Sequence, residues 1–187
     1  RPAGRSDRGK GIFTPRDEDG VDGFITNEPG CAIVTFFADC VPLFFVDEKK
    51  KVIGSSHSGW RGTAGRMGRA TVQAMKETYG CNPEDLVAVI GPSICGSCYE
   101  VSGDVAQEFL REFPQAQCRD FLKSKGNDKY LLDLWKANAY ILADAGIPEE
   151  KIHISGVCTH CHPDLLWSHR SQGNRRGSLA GFIMIKE

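Results

Sequence analysis

Two short segments of this sequence carry the residue types that could do chemistry. Ala-Asp-Cys-Val-Pro at residues 38–42 places a thiol next to a chain breaker, and Ser-His-Ser-Gly-Trp-Arg-Gly at residues 56–62 places an imidazole among glycines. Cysteine and histidine together can form a nucleophile–base pair or two thirds of a zinc site. The tryptophan and arginine of the second segment add an aromatic face and a cationic fork that binds anions. The combination predicts an enzyme site around Cys40 and His57.

These two side chains must be positioned by the elements around them. Apolar stretches predict strands at residues 31–37, 41–46, 52–56, 86–90, 152–157 and 179–185. Helical patterns are found at residues 66–79, 105–113 and 134–145, with Gly80 ending the first of these helices and Gly146 the last. The alternation of strands and helices is typical of an α/β fold. Because Cys40 and His57 lie where strands meet loops, we expect them in one pocket, close enough to share a metal.

Length and composition exclude several classes of protein. A chain of 187 residues with a net charge of −1 predicts one domain and gives no electrostatic reason to bind nucleic acid or an anionic membrane. No apolar run approaches the ~18 residues of a membrane span, and no signal peptide is recognisable. The eight cysteines therefore favour a reduced, cytoplasmic compartment. Because the chain opens at Arg1 without methionine, we expect it to lack an N-terminal part.

Two Cys-x-x-C pairs follow similar stretches of sequence. Cys95 and Cys98, like Cys158 and Cys161, follow a helix, a glycine, a Pro-Glu-acid turn and a strand, so we expect both loops at comparable sheet edges. The pairs could form a metal or redox site, with His160 and His162 as further ligand candidates. Zinc ribbons usually separate such pairs by only ~15–20 residues. We therefore favour reduced thiols in loops near the active site.

Basic and glycine-containing stretches offer anion sites. Gly-Thr-Ala-Gly-Arg at residues 62–66 is predicted to open a helix. Free N–H groups there, together with Arg61 and Arg66, could bind an anion. The same glycines would also suit a tight turn. A second basic stretch, Ser-His-Arg at 168–170, precedes Arg175 and Arg176, for which exposed surface charge is the adequate interpretation.

An ordered set of motifs carries a resemblance to a known family. Ala-Asp-Cys-x-Pro and His-x-Gly-Trp-Arg-Gly are followed by Gly-Pro-Ser-Ile, Tyr-Glu-Val, Leu-Asp-Leu, Cys-Thr and Ser-His-Arg. In order and spacing, from about Val21 onward, the chain resembles the YfiH-type family, also described as laccase-domain or multicopper polyphenol oxidase-like proteins. The resemblance implies a layered α/β sandwich of the cysteine-hydrolase type. It also implies a single catalytic domain over residues 1–187 that lacks its N-terminal part.

The resemblance also implies a site. In the family, zinc is held by the histidine of a Gln-Val-His motif, by the cysteine that matches Cys40 and by the histidine that matches His57. No histidine precedes His57 in this sequence, so the first ligand is expected upstream of Arg1. Asp39 is expected to orient the reacting groups. The residues expected to hold substrate or phosphate are Arg61, Arg170, Trp60 and Tyr99.

The implied activity is zinc-dependent purine nucleoside phosphorolysis. Adenosine, inosine or methylthioadenosine would react with phosphate to give the base and ribose 1-phosphate, and a zinc-activated water would deaminate adenosine. Copper-dependent oxidation of phenols stays an alternative, although five scattered histidines supply copper ligands poorly. A cysteine hydrolase with a Cys40–His57 dyad is the third hypothesis. The expected partners are the small molecules nucleoside and phosphate.

Overall fold

The computed structural model describes residues 1–15 and 19–186. Within them the strands are β1 (Gly23–Thr26), β2 (Ile33–Phe37), β3 (Val41–Asp47), β4 (Val52–Ser58), β5 (Val87–Ile90), β6 (Glu100–Ser102), β7 (Leu122–Gly126), β8 (Lys129–Leu132), β9 (Ile152–Ile154) and β10 (Leu179–Ile183). The α-helices are α1 (Trp60–Ala64), α2 (Met67–Tyr79), α3 (Gly103–Glu112), α4 (Gln115–Phe121), α5 (Leu134–Asp144) and α6 (His169–Gln172). None of these helices is long and apolar enough to span a bilayer.

A five-stranded sheet in the order β1-β4-β3-β5-β9 forms the centre of the fold. β3 and β4 make an antiparallel hairpin whose register places Val41 opposite Ser58 and Pro42 opposite His57. β5 and β9 are parallel neighbours, with Ile90 opposite Ile154. The carboxyl ends of β4, β5 and β9 and the start of β3 therefore meet at one edge of the sheet.

Alternate residues of β4 show why the fold is layered. Ser56 accepts a hydrogen bond from Thr71 of α2 at 3.1 Å, so this face of the sheet carries the helices. Ser55 points the other way and lies 2.5 Å from the hydroxyl of Thr35 in β2. β2 pairs with β10 in a small antiparallel sheet that covers this second face. The chain is therefore an α/β sandwich, as the resemblance implied.

The core lies between the central sheet and the helices. Leu43 and Phe45 of β3 are fully buried together with Met75 of α2 and Ile141 of α5. A three-stranded sheet in the order β6-β8-β7 packs against α3 and α4. The predicted strands at 31–37, 41–46, 52–56, 86–90, 152–157 and 179–185 and the helices at 66–79, 105–113 and 134–145 are confirmed, with shifted ends.

The stretch around Gly62–Gly65 does not open a helix as predicted, because α1 has already begun at Trp60. It lies in or next to α1, where the N–H of Thr63 donates to the Gly59 carbonyl at 2.7 Å and the N–H of Gly65 donates to the Arg61 carbonyl at 2.8 Å. The prediction of an anion site built from N–H groups in this stretch is therefore wrong for these two groups. The break between α1 and α2 comes at Arg66, which has a φ of 56°.

Candidate functional site

Cys40 and His57 converge at the edge of the central sheet. Cys40 immediately precedes β3 and His57 lies near the end of β4, so the hairpin register brings them to the same end. A Cβ atom added to Gly59 would lie 2.9 Å from Cys40 Sγ and 3.6 Å from His57 Cε1. Both side chains are half-buried. They therefore face one point above a glycine whose missing side chain leaves room for them.

An aspartate that sequence reasoning missed contacts the imidazole. His57 Nδ1 lies 3.4 Å from Asp22 Oδ1. The backbone N–H of His57 also donates to the backbone carbonyl of Asp22 at 2.7 Å. A carboxylate at Nδ1 favours the tautomer whose Nε2 carries a free lone pair, the arrangement found at metal-binding histidines. Asp22 reaches this position because Gly23 of β1 pairs with Ser56.

Asp39 uses its carboxylate to hold distant parts of the chain. One oxygen accepts a hydrogen bond from the Thr159 hydroxyl at 2.7 Å, and the other accepts from the backbone N–H of Arg170 at 2.6 Å. The residue is buried and has a φ of 76°, a left-handed conformation that aspartate tolerates better than most residues. Asp39 therefore ties two C-terminal segments to the residue that precedes Cys40.

Arg170 and Tyr99 lie together beside this clamp. The Arg170 guanidinium lies 5.3 Å from the centre of the Tyr99 ring and donates to the Glu100 carbonyl at 2.9 Å. Burial, followed by the negative charge of Cys40, raises the pKa of Tyr99 to about 12. Tyr99 thus keeps its proton at neutral pH and can act as a hydrogen-bond donor.

Trp60 and Arg61 are the first two residues of α1 and stack on each other. The Arg61 guanidinium stacks 4.2 Å from the centre of the Trp60 ring, and its charge also acts on Tyr99. Arg61 is exposed and lines a cavity of about 430 Å³, which it shares with Glu108 and Glu112 of α3. The guanidinium is therefore accessible from solvent, in a cavity whose other charged residues are carboxylates.

Arg176 stands closer to the site than the sequence suggested. Burial raises the pKa of the Cys40 thiol, the charge of Asp39 raises it further, and the charge of Arg176 opposes both. Arg176 is half-buried, and its Nε lies 3.4 Å from His169 Nδ1. The prediction that it is an exposed surface charge is wrong, whereas Arg175 is exposed as expected. Nothing in the local sequence indicates that Arg176 is half-buried and Arg175 exposed.

The cysteine pairs form a separate cluster. Among the described residues, one group of three or more ligand-type side chains converges, and it consists of Cys95, Cys98, Cys158 and Cys161. In that part of the chain no third such side chain joins Cys40 and His57. Both loops leave the parallel strands β5 and β9 at one edge, as their similar sequences predicted, so the long gap between the pairs does not prevent their thiols from meeting.

Known proteins share both the sequence and this architecture. The chain is 41% identical over 183 residues to "Purine nucleoside phosphorylase YlmD" of Bacillus subtilis, covering 97% of this chain and 65% of that protein. It is 37% identical over 180 residues to the human "Purine nucleoside phosphorylase LACC1", covering 94% of this chain and 41% of that protein. The chain thus spans less than two thirds of the length of these relatives.

A solved structure extends the match to the whole fold. The YfiH protein of Bacillus licheniformis superposes with a TM-score of 0.94 at 34% identity and covers 100% of this chain and 70% of its own. The family model described as "Multi-copper polyphenol oxidoreductase laccase" matches residues 6–186. The α/β sandwich, the ordered motifs and these matches agree, and the chain belongs to this laccase-like, YfiH-type family.

Proposed function

We propose that this chain carries the active site of a zinc-dependent purine nucleoside phosphorylase. Cys40 and His57 converge over Gly59, and this observation carries the proposal. The charges of Arg170 and Arg61 act on the pKa of the neighbouring Tyr99. Relatives that bear the name purine nucleoside phosphorylase support it. Because the chain matches only part of each relative, the activity of the whole protein is part of the proposal.

The reaction needs a held phosphate and a stabilised leaving purine. A phosphate oxygen attacks ribose C1′, the bond from C1′ to the purine nitrogen breaks, and the purine takes the bonding electrons and then a proton. Arg61 and Arg170 would hold the phosphate, because guanidinium groups bind oxyanions in a bidentate manner. Trp60 and Tyr99 would supply aromatic surface and, from Tyr99, a hydrogen bond to the substrate. Asp39 would position Arg170 through its backbone.

The donor set at the edge of the sheet suits zinc. A thiol and an imidazole nitrogen are ligands that zinc prefers, and the carboxylate of Asp22 leaves His57 Nε2 available. We therefore assign Cys40 and His57 as two zinc ligands, and the family resemblance places the third on a Gln-Val-His motif. When bound, zinc would supply a Lewis acid to polarise substrate atoms. We prefer zinc to copper because the donor set contains one histidine among the described residues.

Deamination of adenosine is the second activity that we assign to this site. Replacement of the amino group at C6 by oxygen consumes one water and releases ammonia, so it can be measured independently of phosphate. The products are inosine and ammonia, whereas phosphorolysis of adenosine gives adenine and ribose 1-phosphate.

The test is product analysis with the full-length protein. With inosine and phosphate, we expect hypoxanthine and ribose 1-phosphate in equal amounts, and no hypoxanthine when phosphate is left out. With adenosine and no phosphate, we expect inosine and ammonia. Release of purine that does not depend on phosphate would contradict the phosphorylase, and absence of ammonia would contradict the deaminase alone.

The two other hypotheses gain no specific support. Without a metal to displace its proton, a Cys40 nucleophile would need a thiolate at neutral pH, and burial and the charge of Asp39 raise the pKa of this thiol. Oxidation of phenols by several coppers would need clustered imidazoles, and in the described part of the chain the convergent ligand group contains thiols alone. Oxygen uptake with a phenol and added copper would argue for the oxidase.

A further inference from the structure

Four cysteines outside the proposed active site form a compact group, named here the four-thiol cluster. Its members are Cys95, Cys98, Cys158 and Cys161. Their Sγ atoms all lie within 4.8 Å of one another, and the Sγ atoms of Cys98 and Cys161 are 3.5 Å apart. A tetrahedral ion with Zn–S bonds of about 2.3 Å separates its sulfurs by about 3.8 Å. The cluster is thus close to the size of a single-ion site before any ion is considered.

The central sheet builds this cluster from two distant parts of the sequence. β5 and β9 are parallel, so both loops leave the same edge. Beyond the strands the pairing continues, because the N–H of Ser93 donates to the Val157 carbonyl and the N–H of Thr159 donates to the Ser93 carbonyl, both at 3.2 Å. This bridge fixes the two cysteine pairs against each other at their first members.

Backbone hydrogen bonds shape the first loop and join it to a sulfur of the second. In the first loop, the N–H groups of Cys98 and Tyr99 donate to the Cys95 carbonyl at 3.0 and 3.1 Å, which closes a tight turn. The N–H of Cys95 donates to Cys158 Sγ at 3.3 Å. Such N–H donors to sulfur are the outer contacts that orient thiolate ligands around a metal.

We propose that the four-thiol cluster binds one zinc ion as a closed, structural site. Each thiol gives its proton to solvent, and the four sulfurs fill the tetrahedral shell, which leaves no open position for a substrate. Soft thiolates select zinc, copper(I) or iron over harder ions. We assign zinc because a tetrahedral shell of four thiolates is its usual structural site, whereas a multi-iron cluster would hold its cysteines further apart than one ion does. Cys161 is exposed and Cys158 is buried, so the ion has a path to enter from the surface.

The position of this ion links it to the proposed active site. Cys158 is followed by Thr159, whose hydroxyl donates to Asp39, and Cys98 is followed by Tyr99, which lies under Arg170. By holding Cys158 and Cys98, the ion therefore fixes the positions of Thr159, which contacts Asp39, and of Tyr99. Zinc binding by the cluster stands on the thiols alone, whereas this effect on catalysis rests on the proposed function.

Zinc content in matched variants tests the assignment. The full-length protein is purified with a reductant and dialysed to remove unbound zinc. Its zinc content is then compared with that of the Cys98→Ser and Cys161→Ser variants. We expect each variant to hold one zinc per chain less, with an affinity for that ion weakened about tenfold or more, the effect that even loss of an outer-shell partner has. Cys118→Ser is the control, because its buried thiol donates only to main-chain carbonyls, which a hydroxyl can also do. Unchanged zinc content in Cys98→Ser would overturn the proposal.

A second measurement keeps the cluster intact, in case these variants fail to fold. The Cys40→Ala protein empties the proposed catalytic site and leaves the four-thiol cluster as it is. X-ray absorption at the zinc edge should give four sulfurs at about 2.3 Å and no nitrogen. A shell with nitrogen or oxygen, iron in place of zinc, or metal-free protein with disulfides in the cluster would each overturn the assignment. All these readouts are taken without nucleoside, so they do not depend on the proposed activity.

Discussion

Asp22 is the residue outside the predicted site that acts most directly on His57. Its carboxylate contacts His57 Nδ1, and loss of its charge should weaken the donor at Nε2. We expect Asp22→Asn to lower zinc affinity and phosphorolysis by about 10- to 100-fold, as removal of an outer-shell partner does. Asp19→Asn is the matched control, since Asp19 is an exposed aspartate nearby. Equal zinc affinity in the two variants would show that Asp22 does not support a metal ligand.

Arg170 should act on phosphate and not on the metal. Its guanidinium lies over Tyr99, and its backbone is held by Asp39 whatever the side chain is. We therefore expect Arg170→Ala to raise the KM for phosphate about tenfold or more, the effect of one lost charge-assisted contact, with unchanged zinc content. Steady-state rates over a phosphate series measure this. Arg175→Ala, which removes an exposed arginine five positions away, should change neither quantity.

The residues of the site differ in how far sequence could find them. The convergence of Cys40 and His57 is predictable because each lies at one end of a strand, within two residues of a proline or glycine, in a recognisable motif. Asp22 and Arg176 are not, since their roles depend on strand pairing and loop folding that bring distant residues together. The roles of Asp39, Arg61, Arg170, Trp60 and Tyr99 in catalysis stay predictions, although the structure places Tyr99 within reach of the charges of Cys40 and both arginines.

A buried polar network joins three elements behind the site. Asn138 of α5 accepts from Ser58 Oγ at 2.9 Å and donates to Thr63 Oγ1 at 3.1 Å and to the Leu134 carbonyl at 2.8 Å. All of these side chains are fully buried. The network thus fixes the end of β4, the helix α1 and the helix α5 relative to one another, next to His57.

Loss of this network should be costly for the fold. We expect Asn138→Leu to lower the free energy of unfolding by about 2 to 4 kcal/mol, because the hydroxyls of Ser58 and Thr63 would stay buried without their amide partner. Urea unfolding followed by circular dichroism measures the change. The same substitution at exposed Asn174 should have little effect. A midpoint unchanged from wild type in Asn138→Leu would show that the network adds nothing to stability.

Elements with strong apolar patterns are the ones that sequence predicts. The strands β3 and β4 and the helices α2 and α5 are buried on at least one face, and the glycine after α2 ends it in a left-handed conformation as expected. The hairpin of β7 and β8 escapes prediction because β7 reads Leu-Lys-Ser-Lys-Gly and is almost wholly exposed. Its turn residues Asn127 and Asp128 both have positive φ. The Asn-Asp pair is the local sequence signal that favours a hairpin there, because asparagine and aspartate tolerate this conformation.

At the scale of the molecule, the candidate site depends on topology more than on any motif. The hairpin of β3 and β4 carries the proposed metal ligands, and the parallel pair β5 and β9 carries the two cysteine loops. Asp39 then draws the segment around Arg170 over the same edge. The spacing of cysteines in the sequence could not reveal their cluster, because a parallel sheet makes residues near in space that are far apart in the chain.

The whole chain should therefore hold zinc with two different affinities. The four-thiol cluster offers a full shell, whereas Cys40 and His57 offer two ligands with no third among the described residues. We expect dialysis of the 187-residue chain against a mild chelator to leave about one zinc and to remove any second. Cys40→Ala should leave this retained zinc unchanged, as should the control Cys118→Ala. If Cys40→Ala instead lowers the retained zinc by a full equivalent, the chain itself completes the shell around Cys40 and His57, and the ligand expected upstream is not needed.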